Sequence, residues 1–376
     1  MSSGNLRAAE LRRRFDRQPE FTVGIEEELM LLHPETGDLA PLAAEVLRRV
    51  EGDARFKGEL PAAQLEIITS PETKVGDAVS RLASARRELA QAANGLVGLA
   101  AAGVHPWASA EGELSVGPRY EHVRAEYGRY ARRQLVFALQ VHIAPGTAER
   151  ALAIYNALRS YLPEIAALAA NAPFHEGRDT GLASIRPKIA ELLPRQGVPP
   201  PLASWDEYAA ALRWAQAAGA APDPNAWWWE LRPHPQFGTL ELRVPDAQTT
   251  VSEAAGIVAF TQCLVATLAE RFDAGARDEV MSSWRIAENR WWAARDGLEG
   301  QLADLVTGDR IPTRRRLHEL LAEIAPAAAR LGCEAELAEA ERSVQENGAM
   351  RQRAVAATEG LGGVVRWLSE RWLSGA

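Results

Sequence analysis

FTVGIEEELMLL, Phe21 to Leu32, is the stretch on which the fold turns. It has strand composition and stops at the turn-like HPETGD, His33 to Asp38. Successive strand side chains face opposite sides, so residues two apart share a face. Glu26 and Glu28 therefore fall on one side, with Ile25, Glu27 and Leu29 on the other. The same rhythm recurs downstream. AQLEIIT (Ala63 to Thr69) aligns Gln64 with Glu66, and LVFALQVHI (Leu135 to Ile143) aligns Gln140 with His142. TLELRVPD (Thr239 to Asp246) aligns Glu241 with Arg243.

A sheet with one wet face is the plainest account of such alternation. Solvated faces, however, usually mix Lys, Thr and Ser among their charges. These faces concentrate acceptors: Glu26, Glu28, Glu66 and Glu241, with an amide and an imidazole added. Carboxylates gathered on one face repel one another unless cations sit between them. Magnesium takes oxygen ligands and binds through a few carboxylates plus substrate phosphates. Arg243, beside Glu241, can neutralise charge on a phosphoryl group in transfer. The pattern predicts a metal-dependent phosphoryl-transfer floor.

Around these strands the spacing predicts helices at Leu42 to Val50, Gly76 to Ala102, Ala148 to Ala170 and from Ser204 or Asp206 to Ala218. Gly103 to Arg119 reads as irregular, and Asn171 to Pro201 as a long loop contributing to a site or lid. WWWELRPH and TLELRVPD, joined by PQFG, predict an antiparallel hairpin, and from Val251 onward the pattern is almost wholly helical. The fold class is α+β, a mainly antiparallel sheet flanked by helices, with residues 1–376 as one domain.

Composition narrows the function. A net charge of −8 leaves no general basic surface for nucleic acid. The arginine runs at Arg12 to Arg14 and Arg314 to Arg316 fit solvated helix faces. Cys263 and Cys333 lie far apart in sequence without a CxxC, which argues against a disulfide framework or structural zinc. The polar amino-terminal stretch lacks a secretory core, and no uninterrupted apolar run reaches the roughly 18 residues of a membrane span. A cytoplasmic protein is expected. Neither a GxxxxGK[ST] loop nor a Gly-rich dinucleotide fingerprint is present. A nucleotide would then be held by metals and by arginines near loops: Arg178, Arg186, Arg232, Arg243, Arg290 and Arg295.

Several longer stretches carry a resemblance: VGIEEELMLLHPETGDL, AAQLEIITSP, GVHPWAS, NAPFHEGRDTGLASIRPK, WWWELRPHPQFGTLELRVPDAQTTV and ENRWWAARDGL, in order from Val23 to Leu298. They resemble the carboxylate–amine ligases related to glutamate–cysteine ligases, of the bacterial type 2 kind. The resemblance implies a glutamine-synthetase-like fold, a curved antiparallel sheet forming the floor of a funnel. It implies a two-step reaction in which ATP phosphorylates the γ-carboxylate of glutamate and the amine of cysteine, or another amine, displaces the phosphate. Carried over by motif, Glu26, Glu28, Glu66 and Glu241 would bind Mg²⁺, with Glu59 a further ligand. Arg243 would contact phosphate, and Arg232 phosphate or the substrate carboxylate. Arg178, Thr180 and Arg186, with Asp179, lie in a segment resembling a substrate-facing loop, and His142 is expected at bound substrate or ATP. Glu27 points away and is expected to be structural. The relatives usually read HVHVG where this chain has Gln140-Val141-His142-Ile143-Ala144, so Gln140 takes the place of a histidine as a ligand. A glutamine oxygen suits magnesium. Ligases of this kind often self-associate, so a homodimer is expected.

His105, in GVHPWAS, fits a structural turn or a binding loop equally well, whereas His234 is expected to cap the hairpin end and Trp227 to Trp229 to pack on both faces of a strand. Two further accounts of the same residues stay open. A hydrolase using paired carboxylates would act without ATP and give Arg243 no task. A non-catalytic binding protein would keep the fold and tolerate the Gln140 change.

Overall fold

The computed structural model describes residues 7–221 and 226–375. The first strands are β1 (Val23–Leu32), β2 (Phe56–Gly58), β3 (Gln64–Ile68), β4 (Gly98–Ala100) and β5 (Leu139–Ile143). There follow β6 (Phe174–His175), β7 (Arg178–Asp179), β8 (Leu231–His234), β9 (Thr239–Leu242), β10 (Gln301–Ala303) and β11 (Arg310–Pro312). The main sheet runs β2-β3-β1-β5-β9-β8, antiparallel throughout, and β4 pairs with the far end of β1. This is the mainly antiparallel α+β arrangement expected, with the EEE strand at its centre.

The alternation works as read. Ile25, Leu29, Leu31, Leu65, Ile67, Leu139, Val141, Ile143, Leu240 and Leu242 are all buried in one apolar core. Against that side pack the helices Val75–Ala93, Ala148–Leu158 and Val251–Asp273. The last is apolar enough over its length to cross a membrane, but 89% of its most apolar window is buried inside the protein, where it serves as the central core helix. It starts at a capping box formed by Thr250 and Glu253. Along it lies Glu334–Gln345, so close that a Cβ on Gly256 would sit 2.6 Å from Ala340 N.

Glu27 faces this core and is fully buried. Arg86 answers it: Nε donates to Glu27 Oε2 at 2.9 Å and Nη2 to Oε1. The same guanidinium donates to the carbonyls of Gln248 (3.0 Å), Thr249 (3.1 Å) and Trp372, and lies over the Trp372 ring. Two buried charges are tolerated here because every face of the guanidinium has a partner.

Several element boundaries differ from the sequence expectation. The helix expected to Ala102 stops at Ala93; Gly95, at φ +73°, turns the chain so that residues 98–100 can pair with β1. The helix expected from Ala148 to Ala170 is broken at residues 159–161 and restarts at Leu162, where Pro163 needs no N–H partner. A helix, Pro118–Tyr127, stands where the irregular stretch was expected to end, and it buries none of its residues. The tryptophan run precedes β8 instead of belonging to it, each indole half-buried. The β10–β11 hairpin interrupts the C-terminal helices. Cys263 and Cys333, far apart in sequence, bring their sulfurs to 3.5 Å as buried free thiols.

Candidate active site

The side of the sheet opposite the core carries the polar pairs in rows. Antiparallel register sets Glu28 against Glu66, Glu26 against Gln140, His142 against Glu241, and Glu241 against Arg232. Side chains directly opposite in such a ladder share a face. Residues from five strands thus meet on one surface, as the two-residue spacing required.

At the β5–β9 end, ligand atoms of Glu26, His142 and Glu241 lie within 4.8 Å of one another, the metal-capable group of this kind among the described residues. His142 Nδ1 is tied to the Thr239 hydroxyl at 3.0 Å. Its Nε2 lies 3.4 Å from Glu26 Oε1, buried and without a hydrogen bond. An imidazole fixed through one nitrogen, with the other unpartnered among carboxylates, fits a metal ligand. His234 and Phe237 close this end, stacked on each other and each edge-on to His142. Burial pushes His234 down to about 4, so it stands neutral.

Glu241 is fully buried between two arginines. Arg232 Nε donates to Oε2 at 2.5 Å and Nη2 to Oε1 at 3.1 Å, while Arg243 Nη1 donates to Oε1 at 2.5 Å. Burial alone would raise this carboxyl; the two guanidiniums hold it well below the usual range. Arg243 Nη1 also donates to Gln140 Oε1, and Gln140 Nε2 donates to Glu28 Oε1 at 2.8 Å. Gln140, expected as a ligand, thus has both ends of its amide engaged, while His142, expected at substrate, sits among the carboxylates.

The other end is more acidic. Glu28 Oε2 accepts from Ala138 N at 2.7 Å. Burial, helped by the charge of Glu59, nevertheless pushes Glu28 up to about 7. Burial, followed by Glu26, Glu59 and Glu28, drives Glu66 well above the carboxylate range. Such mutual repulsion is what a divalent cation relieves.

Next to this end opens a cleft lined among others by Glu28, Glu59, Gln64, Arg186, Glu230 and Arg243. Arg186 lines it with its guanidinium anchored to Asp246 Oδ1 (2.7 Å) and Val244 O (2.6 Å). Arg290 reaches it through Glu230, whose two oxygens both accept from Nε at 2.9 Å. Arg295 instead pairs with its neighbour Asp296. Arg178 is exposed on β7, and Thr180 holds a turn by donating to Pro173 O at 2.8 Å; neither lines the cleft. Asp179 pairs with Arg353. His105 is a structural turn residue, its Nε2 2.9 Å from Gly37 O.

Sequence reasoning passed over Glu230, although it lies two residues from Arg232 and the same spacing rule would have found it. It also passed over Arg119, Tyr120 and Val123, which line the cleft from a helix with no apolar periodicity to reveal it.

Comparison with known proteins agrees with this geometry. A protein of Rubrobacter xylanophilus, provisionally named glutamate–cysteine ligase 2-3, is 41% identical over 366 residues, covering 95% of this chain and 98% of its own length. A Frankia alni protein, provisionally named glutamate–cysteine ligase 2-1, is 36% identical, covering 91% of this chain and 92% of its own. Among solved structures, glutamate–cysteine ligase of Francisella tularensis in complex with AMP superposes with a TM-score of 0.69 at 13% identity, covering 95% of this chain and 90% of that one. The two chains share one fold. Glutamate–cysteine ligase family 2 matches residues 22–370. The chain belongs to that family and is a ligase.

Proposed function

We propose that this ligase uses ATP to phosphorylate the γ-carboxylate of glutamate and then couples that carbonyl to an amine. The observation that carries the proposal is the continuous polar floor: Glu26, His142 and Glu241 at one end, Glu28, Glu59 and Glu66 at the other, with Arg243 touching the first group and lining the cleft beside the second. A carboxylate is a poor electrophile, and phosphorylation gives it a leaving group. Its oxygen bonds to the γ-phosphorus of ATP while the bond to ADP breaks. The amine nitrogen then bonds to the carbonyl carbon, and phosphate departs.

The chain's own residues have distinct tasks in this reading. Arg243 and Arg232, already converged on Glu241, supply fixed positive charge where the transferred phosphoryl group gains negative charge. Arg186 and the Arg290–Glu230 pair hold the cleft wall in place. Mg²⁺, held by the two carboxylate groups and His142, would screen the triphosphate from the floor.

The test is ADP release by the purified protein with ATP, glutamate and either Mg²⁺ or Mn²⁺, with hydroxylamine added to trap an activated carboxylate as its hydroxamate. Metal-dependent ADP and glutamyl hydroxamate are expected. Arg243→Ala should lose at least a hundredfold in kcat, in line with removal of a preorganised charge. Bond cleavage without ATP, or full turnover in Arg243→Ala, would overturn the assignment. Glu241→Gln is a less clean probe, because it leaves two buried arginines without their anion and should cost several kcal/mol of stability.

A further inference from the structure

One wall of the cleft has no task in phosphoryl transfer. It presents Val123, Val136, Leu193 and Trp228, from separate segments of the chain, among the polar groups that line the rest of the cleft. Trp228 is held rigidly: Arg195 lies 5.4 Å over its ring, Tyr127 meets it edge-on at 5.8 Å, and Arg195 Nη2 donates to the Tyr127 hydroxyl at 2.8 Å. A wall fixed in this way costs a ligand little ordering. Into the same cleft faces Gln64, only 3% exposed, whose Oε1 has no hydrogen-bond partner. It stands at the margin of the polar floor, opposite Met30 and two residues from Glu66. A buried carbonyl oxygen without a donor is costly, and the cost is recovered when a ligand N–H reaches it.

We propose that the amine coupled by this enzyme is a primary amine on an apolar body, aliphatic or aromatic. Its nitrogen is received beside Gln64 Oε1 and its body lies against Val123, Val136, Leu193 and Trp228. The proposal rests on the ligase reading above and specifies its second substrate. A small thiol-bearing amino acid would leave these four side chains wet. The chemistry balances without further reactants. The ammonium gives one proton to solvent, and the free amine bonds to the acyl carbon as the carbon–oxygen bond to phosphate breaks. The nitrogen's next proton then leaves, giving amide and inorganic phosphate.

The experiment uses the full-length enzyme with Mg²⁺, ATP and glutamate. Hydroxylamine, cysteine, phenethylamine and the n-alkylamines from propyl to hexyl serve in turn as acceptor, and ADP and products are quantified. The alkylamines are near-equal in basicity, so their differences report contact with the wall. Expected is a rise in kcat/KM of about fourfold per added methylene, with hexylamine and phenethylamine exceeding cysteine. A flat series, or preference for cysteine, overturns the acceptor assignment while hydroxamate formation upholds the ligase reading. If neither hydroxamate nor ADP forms, the ligase reading falls and the acceptor falls with it. Val123→Glu, on a helix that buries no residue, should raise KM for hexylamine at least tenfold with an unchanged thermal midpoint. An unchanged KM in that variant also counts against the proposal.

Discussion

Glu28 and Glu241 share one face of one sheet, and their carboxyls are shifted in opposite directions. Glu241 is pinned as an anion by Arg232 and Arg243, whereas burial and Glu59 bring Glu28 up to about 7 from an ordinary 4.5. The native protein therefore binds more of a proton at Glu28 than the unfolded chain does between about pH 4.5 and 7. Between about pH 4.5 and 7 this group lowers stability as pH rises, by up to roughly 1.4 kcal/mol per unit crossed. Glu66 acts in the same direction. The expected outcome is a thermal midpoint of the metal-free protein that falls from pH 5 to pH 8, and a Mg²⁺ affinity that weakens as pH drops below about 7. Saturating Mg²⁺ should remove the fall, and Glu28→Gln should flatten it. A metal-free midpoint that climbs over this range, with no effect of Mg²⁺ at pH 8, would refute the assignment. Strand parity made the shared face of these carboxylates legible from the sequence. Their charge states were not, because those depend on which side chains touch across strands: Gln140 bridging Glu28 and Arg243 is a contact between residues 112 and 103 positions apart.

At the scale of elements, strands with strict alternation were placed to within a few residues, since a one-residue slip would have put glutamates into the core. Helices were less legible where tertiary contacts set their ends. Residues 98–100 have the composition of the preceding helix but become β4, since β1 offers an open edge there. The helix Pro118–Tyr127 has no apolar stripe to mark it. A different kind of information is carried by Gly256. Inside an exposed helix, Gly→Ala gains about 1 kcal/mol. Here the new methyl would meet the backbone of Glu334–Gln345 at Ala340, and backbone cannot step aside. Gly256→Ala is therefore expected to lose about 1–3 kcal/mol, measured by urea unfolding. A stabilised variant would show that the two helices can separate at no cost.

At the scale of the molecule, one large apolar core runs from Leu11 and Val23 through the sheet and the helix Val251–Asp273 to Leu317, Leu337, Val364 and Trp372. Among the described residues, the C-terminal helices contribute to this same core, so calorimetry should show one cooperative transition. A second, separable transition would mean that the C-terminal helices fold independently. The recognisable motifs end near Leu298, and nothing in the later periodicity reveals that the helix Gly348–Arg371 packs on β4, the strand paired with the end of β1. That packing has a consequence for how the protein comes into being. Arg86 and Glu27 are made early in synthesis, but the guanidinium's shell needs carbonyls from Gln248, Thr249 and finally Trp372. A nascent chain that has not yet reached Trp372 has already made every acidic ligand of the floor. Until Trp372 is made, the Arg86 guanidinium behind the strand bearing Glu26 and Glu28 lacks part of its shell.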